Sequence, residues 1–171
     1  LDSDPSGNVS ILLNEGAGTF ALPRNFGVAS GPTSVAAGDL NGDGKADIAT
    51  ACLGGGIICV LLGTGDGGLT DGPALKVPGF PNSVSMMDFD GDGDLDLASS
   101  LVGQFGPGSI AVLLNHGDAS FAKVLDFPAG FQPLSILTGD LTGDGVPEVG
   151  AGLEIGTLLV LERIESAHDI D

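Results

Sequence analysis

Residues 38–51 read GDLNGDGKADIATA, a stretch that places three aspartates around two glycines. Carboxylates crowded in this way repel one another unless a positive charge lies among them. The same pattern occurs again as MDFDGDGDLDLASS at 87–100 and as GDLTGDGVPEVGAG at 139–152. The chain therefore contains a repeat, and each copy of it calls for a counter-charge.

The repeat has a period of about 50 residues, which is typical of solenoids and propellers. Its first aspartates, Asp39, Asp88 and Asp140, are 49 and then 52 residues apart. A proline opens the phrase Pro-x-Ser-(Val/Ile) seven residues before each aspartate, and a Leu-Leu-(Asn/Gly) triplet ends 25 residues before it. The prolines are Pro32, Pro81 and Pro133, and the triplets end at Asn14, Gly63 and Asn115.

Each unit divides into four short strand-like segments separated by turn residues. In the first full unit these are Ser34–Asp39, Asp47–Cys52, Ile57–Leu62 and Leu69–Val77. Several are apolar at consecutive positions, so we expect burial on both faces. Four strands in about 50 residues are typical of a β-propeller blade, whereas solenoid coils are usually shorter or helical. The sequence predicts an all-β propeller of four-stranded blades.

About three blades are predicted within a single propeller region, 1–171. We place a partial blade at 9–32, full blades at 33–81 and 82–132, a partial blade at 133–165 and an acidic tail at 166–171. The last partial blade has predicted strands at 135–140, 148–153 and 157–162. Closed propellers typically have 4–8 blades. We therefore expect this region to form part of a larger, six- to eight-bladed propeller, with further blades supplied by the same or another chain.

Charge and composition exclude several classes of partner. The net charge of −18 argues against nucleic acid and against anionic membrane surfaces. No stretch approaches the roughly 20 apolar residues of a membrane span. The acidity is concentrated, because 11 of the 23 acidic residues lie in three nine-residue loops that begin at Asp39, Asp88 and Asp140. This concentration favours bound cations over a diffuse solubilising charge.

Each acidic loop offers a ring of hard oxygen ligands. Oxygen-bearing side chains stand at positions 1, 3, 5 and 9, the carbonyl of position 7 can complete the ring, and glycines at positions 4 and 6 permit a tight turn. Such a set suits the 6–8 oxygen ligands of Ca²⁺ better than Mg²⁺ or a transition metal. The predicted ligands are Asp39, Asn41, Asp43, Lys45 and Asp47, then Asp88, Asp90, Asp92, Asp94 and Asp96, then Asp140, Thr142, Asp144, Val146 and Glu148.

Two other calcium loops with a similar opening are rejected. An EF-hand needs an acidic residue at position 12, where this chain has Thr50, Ser99 and Ala151. A dockerin-like loop would run into a helix, whereas the residues after the first loop are small and strand-like. Up to three Ca²⁺ ions are expected. The second site has the most charge and is predicted to bind tightest, and the third, with Thr142 and Glu148, weakest.

Catalytic chemistry has little support in the sequence. His116 lies in a turn and His168 in the acidic tail, and no nucleophile elbow, zinc-protease motif or Cys/His metal pattern is present. No catalytic residue is assigned and we expect the chain not to be an enzyme. Cys52 and Cys59 flank a tight turn, where a disulfide and two buried free thiols are equally consistent with the spacing.

The phrase Pro-x-Ser-Val, the loop Gly-Asp-Leu-Asn-Gly-Asp-Gly-Lys-Ala-Asp-Ile and the run Val-Leu-Leu-Asn-x-Gly together resemble the FG-GAP/VCBS repeat of integrin α-subunit propellers and bacterial surface proteins. The resemblance covers about residues 9–162. It implies a propeller, seven-bladed in most members, with calcium in the hairpin between the first two strands of a blade. It also implies an extracellular, cell-surface or periplasmic setting.

Three functions fit these features. The first is a calcium-stabilised module for extracellular protein interaction, adhesion or scaffolding, with structural Ca²⁺. The second is a carbohydrate-binding propeller or the non-catalytic part of a polysaccharide-active enzyme, although the chain has no Trp or Tyr to stack on a glycan. The third is a purely architectural subunit of a surface assembly. The expected partner is accordingly a protein or larger assembly, with a glycan as the alternative.

Overall fold

The structure is a computed structural model that describes residues 7–154 and 158–161. Within these ranges the chain consists of short β-strands, and its one helical segment is a single 3-10 turn at Leu53–Gly55. This confirms the predicted all-β fold class. No helix in the described ranges is long and apolar enough to span a membrane.

Two complete four-stranded sheets form the centre of the chain. Each is an antiparallel meander in which consecutive strands pair, as in a propeller blade. The strands of the first sheet are β5 (Pro32–Gly38), β6 (Asp47–Cys52), β7 (Ile57–Gly63) and β8 (Leu69–Lys76). Those of the second are β9 (Phe80–Met87), β10 (Asp96–Val102), β11 (Pro107–Leu113) and β12 (Leu125–Phe131).

Incomplete sheets stand on either side of these two. At one end β1 (Gly7–Ile11) pairs with β4 (Arg24–Val28), and a small hairpin of β2 (Asn14–Gly16) and β3 (Thr19–Phe20) lies between them in sequence. At the other end β13, β14 and β15 form a three-stranded sheet. Their bounds are Pro133–Gly139, Glu148–Leu153 and Leu158–Leu161. The predicted strand at 157–162 thus matches β15 except at its two end residues, which, like the tail at 166–171, lie outside the described residues.

The Pro-x-Ser phrase encodes an irregular start to the first strand of each blade. Pro32 pairs with Cys52 and Ser34 pairs with Ala51, so the residue between them has no partner and forms a bulge. The same irregularity follows Pro133, and it recurs opposite Leu101 in the middle blade. Proline suits a strand's first position because it has no N–H to donate. β5 and β13 therefore begin at the proline, two residues earlier than predicted, whereas β9 begins at Phe80, one residue before its proline.

Burial on both faces holds for the middle strands but not for every strand. All six residues of β6 and the first six of β10 are buried. The expectation is wrong for β5, where half-buried and exposed residues alternate, and for the edge strand β8. The physical reason is position, since a strand inside a blade is covered by neighbouring blades on both faces, and an edge or end strand is not.

Adjacent blades share apolar cores made mainly of small and branched side chains. One core joins the first full blade to the second through residues such as Leu40, Ala49 and Leu113. Polar contacts tie the first strands together: the Val84 N–H donates to Ser34 Oγ (3.2 Å), and the hydroxyls of Ser85 and Thr138 are 2.7 Å apart. The blades consequently pack face to face, and their acidic loops lie at one end of neighbouring sheets.

Candidate metal centres

The three acidic loops join the first two strands of each blade. The first loop (39–47) connects β5 to β6, the second loop (88–96) connects β9 to β10, and the third loop (140–148) connects β13 to β14. Both glycines of every loop have φ between 73° and 97°, in the left-handed region where a side chain is strained. The predicted turn chemistry of positions 4 and 6 is therefore confirmed.

The aspartate at position 1 organises its own loop. In the second loop Asp88 accepts the N–H of Gly91 at Oδ1 (2.7 Å) and that of Gly93 at Oδ2 (3.0 Å). The equivalent bonds to Asp39 are 2.8 and 2.7 Å, and those to Asp140 are 2.6 and 2.9 Å. The oxygens of Asp88 and Asp140 each keep a further lone pair after accepting one of these N–H groups, so they remain able to bind a cation. In the first loop Asp39 Oδ1 also accepts the N–H groups of Asn41 (3.3 Å) and Asp43 (3.2 Å), and Oδ2 is the freer oxygen.

Side chains at positions 3 and 5 form short turns with the backbone two residues ahead. At position 5, Asp43, Asp92 and Asp144 each accept the N–H of position 7 at 2.9 Å through Oδ1. At position 3, Asn41 and Asp90 accept the N–H of position 5 at 3.0 and 3.2 Å. These bonds hold one oxygen of each group, and the second oxygen of each position-5 carboxylate is left for another partner. The role of the position-7 carbonyls as ligands stays a prediction.

Position 9 has a second role that the sequence did not reveal. Asp47 is fully buried, accepting the Leu40 N–H at Oδ2 (2.9 Å) and the Gly63 N–H at Oδ1 (2.7 Å). Asp96 does the same with Phe89 (2.8 Å) and Asn115 (2.7 Å). Each carboxylate thus joins the start of its loop to the residue that ends the Leu-Leu-(Asn/Gly) triplet of the same blade.

The third loop reaches a similar arrangement with a longer side chain. Glu148 is buried, and its Oε2 accepts the N–H of Leu141 (2.6 Å) and Thr142 (3.2 Å). Its Oε1 accepts the Thr142 hydroxyl at 3.3 Å. The extra methylene of Glu148 therefore brings its carboxylate toward the other acidic groups of the loop.

The three loops differ in how closely their carboxylates gather. In the second loop one oxygen each from Asp88, Asp90 and Asp92 lies within 4.8 Å of the others, and Asp140, Asp144 and Glu148 form an equivalent group in the third loop. Among the described acidic residues no such group of three includes those of the first loop. There Lys45 pairs with Asp43 at 3.0 Å and supplies part of the counter-charge itself.

The pKa values of the loop carboxylates also differ between the first and second loops. Burial raises the pKa of Asp96 to about 6, and burial together with the nearby charges of Asp92 and Asp88 raises the pKa of Asp90. In the first loop, by contrast, the hydrogen bond from Lys45 lowers the pKa of Asp43. The negative charge of the second loop is therefore less compensated than that of the first.

The donor set fits a hard divalent ion. Every side-chain donor at the predicted positions is a carboxylate, amide or hydroxyl oxygen, and no His or Cys lies in any of the loops. Carboxylates held within 4.8 Å of one another match the spacing of oxygens around Ca²⁺, whose ligands lie about 2.3–2.6 Å from the ion. In the first loop Lys45 contacts one of these donors, so its ammonium group must move before a cation can use both oxygens of Asp43.

One buried residue that the sequence marked only as part of a repeat also contacts the loops. Asn115 follows β11, and its side-chain amide donates to the carbonyl of Leu40 in the first loop and to that of Leu95 in the second. The sequence signal for Asn115 was that the Leu-Leu-(Asn/Gly) triplet recurs at the same place in each repeat. No sequence pattern indicated that the residue would bridge two blades.

Four-stranded meanders with an acidic loop after the first strand define a repeat protein built of β-propeller-type blades. The model of the FG-GAP-like repeat matches residues 3–50 and 88–151, and the chain belongs to this family. No curated protein matches the chain.

Proposed function

We propose that this chain is a calcium-stabilised β-propeller module in which Ca²⁺ is structural. The observation that carries the proposal is the grouping of three carboxylates in the second loop and again in the third, each inside a loop of the same backbone geometry. A bound cation offsets the repulsion within each group and holds the hairpin between the first two strands. Up to three ions are proposed, at the ligand positions predicted above.

The proposal assigns no catalysis to these ions. Many of the loop oxygens accept loop N–H groups and the others are the proposed cation ligands, so the site would have little freedom to bind and turn over a substrate. A cavity of about 420 Å³ lies beside the first loop, but glycines, aliphatic side chains and Lys45 line it, with no aromatic ring for a glycan. These features favour an interaction module over the carbohydrate-binding alternative and support a non-enzymatic role.

We propose that further propeller blades are the first binding partners of this chain. The residue at loop position 2 is 0% exposed in the first blade (Leu40) and 2% exposed in the second (Phe89), but 53% exposed in the third (Leu141). In the first blade Asn115 and Ala119 of the following blade cover this position through bonds to the Leu40 carbonyl. The same cover over Leu141 would come from a further blade of the same or another chain.

An extracellular, cell-surface or periplasmic setting completes the proposal. Free calcium is abundant there and fills sites of modest affinity, down to the millimolar range. The family resemblance to integrin and bacterial surface propellers supports the same setting and an adhesive or scaffolding role, with a protein or a larger assembly as partner. A purely architectural subunit uses the same scaffold and is the closest alternative.

Thermal unfolding tests the calcium proposal directly. We expect excess Ca²⁺ to raise the Tm by about 5–10 °C over EDTA, because one site at 100 times its Kd contributes about 2.7 kcal/mol and each kcal/mol shifts a chain of this size by about 2–4 °C. Mg²⁺ should produce a smaller shift. An equal Tm in Ca²⁺ and EDTA would contradict the proposal.

A matched pair of variants separates site binding from general screening of charge. Asp92→Asn removes one carboxylate from the second loop, whereas Asp118→Asn removes one from an exposed turn outside the loops. Both variants change the net charge by the same amount. The calcium-dependent part of the Tm should fall for Asp92→Asn and stay at the wild-type value for Asp118→Asn. Equal effects of the two substitutions would show that calcium acts only as a diffuse counter-ion.

A further inference from the structure

The acidic loops of the two full blades are joined by one buried side chain. Asn115 is 2% exposed, and its Nδ2 donates to the Leu40 carbonyl (2.7 Å) and to the Leu95 carbonyl (3.0 Å). Leu40 belongs to the first loop and Leu95 to the second. The two carbonyls are thus held on one amide group, although Leu40 and Asn115 are 75 residues apart in the chain.

This bridge continues on both sides into a position-9 carboxylate. On one side the Leu40 N–H donates to Asp47 Oδ2 at 2.9 Å. On the other side the Asn115 backbone N–H donates to Asp96 Oδ1 at 2.7 Å. A continuous run of hydrogen bonds therefore leads from Asp47 of the first loop, through Leu40 and Asn115, to Asp96 of the second.

The chemistry of the side chain matches this bridging position. A primary amide has two N–H donors, and both of them are used on carbonyls from different blades. Its oxygen, Oδ1, is buried and has no hydrogen-bond partner among the described residues, so the contacts that hold this group in place are those of its donors. An aspartate here would set a carboxylate against two carbonyl oxygens, and a serine could donate to only one of them.

We propose that Asn115 is a positioning residue that couples the first and second loops, so that a cation bound in one loop raises the affinity of the other. This inference rests on the proposed calcium binding of both loops. Ordering one loop around an ion fixes the carbonyl that Asn115 holds, and through the shared amide it lowers the entropy that the second loop still has to lose. Coupling of this kind is reciprocal and typically amounts to about 5–150-fold in affinity.

The chain itself supplies the matched variants. Gly63 occupies the equivalent place in the preceding blade and keeps the backbone N–H bond to Asp47 without any side chain. Asn115→Gly therefore removes the bridge and retains the bond to Asp96. Asn14→Gly is the control, because Asn14 has the same place in the first partial blade but is exposed, and its side chain accepts a local hydrogen bond from the Gly16 N–H.

The experiment is a calcium titration of the full chain followed by NMR. The backbone amides of Gly42 and Gly44 report the first loop, and those of Gly91 and Gly93 report the second. With Asn115 present, Asp92→Ala should weaken calcium binding at the first loop by about fivefold or more. In the Asn115→Gly background the same substitution should leave that affinity within twofold. The Asn14→Gly background should behave like the wild type.

Loss of the negative charge at Asp92 acts on the first loop by a direct electrostatic route as well. That contribution is the same with and without Asn115, so only the difference between the two backgrounds measures the bridge. An equal weakening in both backgrounds would overturn the coupling, and so would the absence of any weakening in the wild type. If the loop signals of the wild type do not respond to calcium at all, the calcium proposal itself fails, which is a distinct result.

If the Asn115→Gly variant does not fold, a second experiment tests the coupling. Because coupling between two sites is reciprocal, Asp43→Ala in the first loop should also weaken calcium binding at the second loop, by about fivefold or more. Asp144→Ala in the third loop, which the described hydrogen bonds do not connect to the first, should leave the first loop unchanged. Absence of any weakening at the second loop, or a matching effect of Asp144→Ala on the first, would overturn the proposal.

Discussion

The ninth residue of each acidic loop is buried, whereas the other acidic residues of the loop are exposed or half-buried. Asp47, Asp96 and Glu148 each accept backbone N–H groups that have no other partner in the strand ladder. A buried N–H that loses its acceptor costs the free energy of its desolvation. These residues are therefore part of the scaffold even before any cation is considered.

We expect Asp47→Asn to lower the free energy of unfolding by about 2–3 kcal/mol in EDTA, because the amide turns a donor toward a buried N–H. Asp43→Asn removes the same charge from an exposed site in the same loop and should cost less than about 1 kcal/mol. Urea unfolding of the two variants measures the difference. Similar losses would show that Asp47 acts only through loop charge.

The two cysteines form a pair of free thiols with unequal acidity. Their sulfur atoms are 3.5 Å apart on neighbouring strands, with Cys52 as the hydrogen-bond donor. This bond lowers the pKa of Cys59 to about 6 and raises the pKa of Cys52. Of the two alternatives that the spacing left open, the structure has the thiols.

Alkylation rates test the unequal acidity of the two thiols. The rate of Cys59 modification by iodoacetamide should rise with pH around a midpoint near 6, because the thiolate is the nucleophile. Cys52→Ala removes the donor that stabilises the Cys59 thiolate, so the midpoint should move to higher pH. Mass spectrometry of the modified peptide gives both curves, and an unchanged midpoint would contradict the assigned hydrogen bond.

At the scale of the strand, the backbone approaches closely at the end of β7, where the triplet ends in glycine. Gly63 lies against the chain just before Asp47, and a Cβ added to it would overlap the Ala46 carbonyl oxygen. The same close approach allows the Gly63 N–H to reach Asp47 Oδ1. In this blade the backbones of the second and third strands therefore approach too closely to admit a side chain at Gly63 without a shift.

Gly63→Ala should lower the free energy of unfolding by about 1–3 kcal/mol, because the backbone must shift to admit the methyl group. Gly27→Ala is the matched control within β4, since nothing lies within 4 Å of a Cβ added there. That variant should be neutral or slightly stabilising. Denaturant unfolding compares the two, and equal stability would show that the strand end adapts without cost.

Across the whole molecule, burial of a repeated position depends on the neighbouring blade. Leu40 and Leu141 have the same place in their loops, but Leu40 lies in the core between two blades and Leu141 is exposed. A leucine that leaves a buried site loses both its transfer free energy and its packing. Equivalent substitutions in different blades should therefore have unequal effects.

Leu40→Ala should cost about 2–5 kcal/mol, as for other buried leucines. Leu141→Ala should change the stability of this chain by no more than about 0.5 kcal/mol. Urea unfolding at several protein concentrations gives both values. A large, concentration-dependent loss for Leu141→Ala would mean that another copy of the chain covers this position in solution.

The sequence by itself determined the repeat, the four-stranded blade and the acidic loop with its two glycines. Each of these depends on local patterns: short apolar runs within strands, turn residues at fixed offsets, and side chains a few positions apart. Period and spacing repeat in several copies, so a chance match at one copy is corrected by the others. For this reason the fold class and the strand positions were predictable to within about two residues.

Only the tertiary structure decided how the loops differ and how they are connected. The burial of Asp47 and the bridge through Asn115 involve groups whose meeting depends on strand register and blade packing. The salt bridge between Lys45 and Asp43, which distinguishes the first loop from the second, is local and depends on side-chain conformation. Asn115 and Leu40 come together because the third strand of one blade ends above the loop of the blade before it. Such contacts between residues distant in sequence leave no local pattern, and the physical reason is that packing between blades, not the repeat itself, brings them within bonding distance.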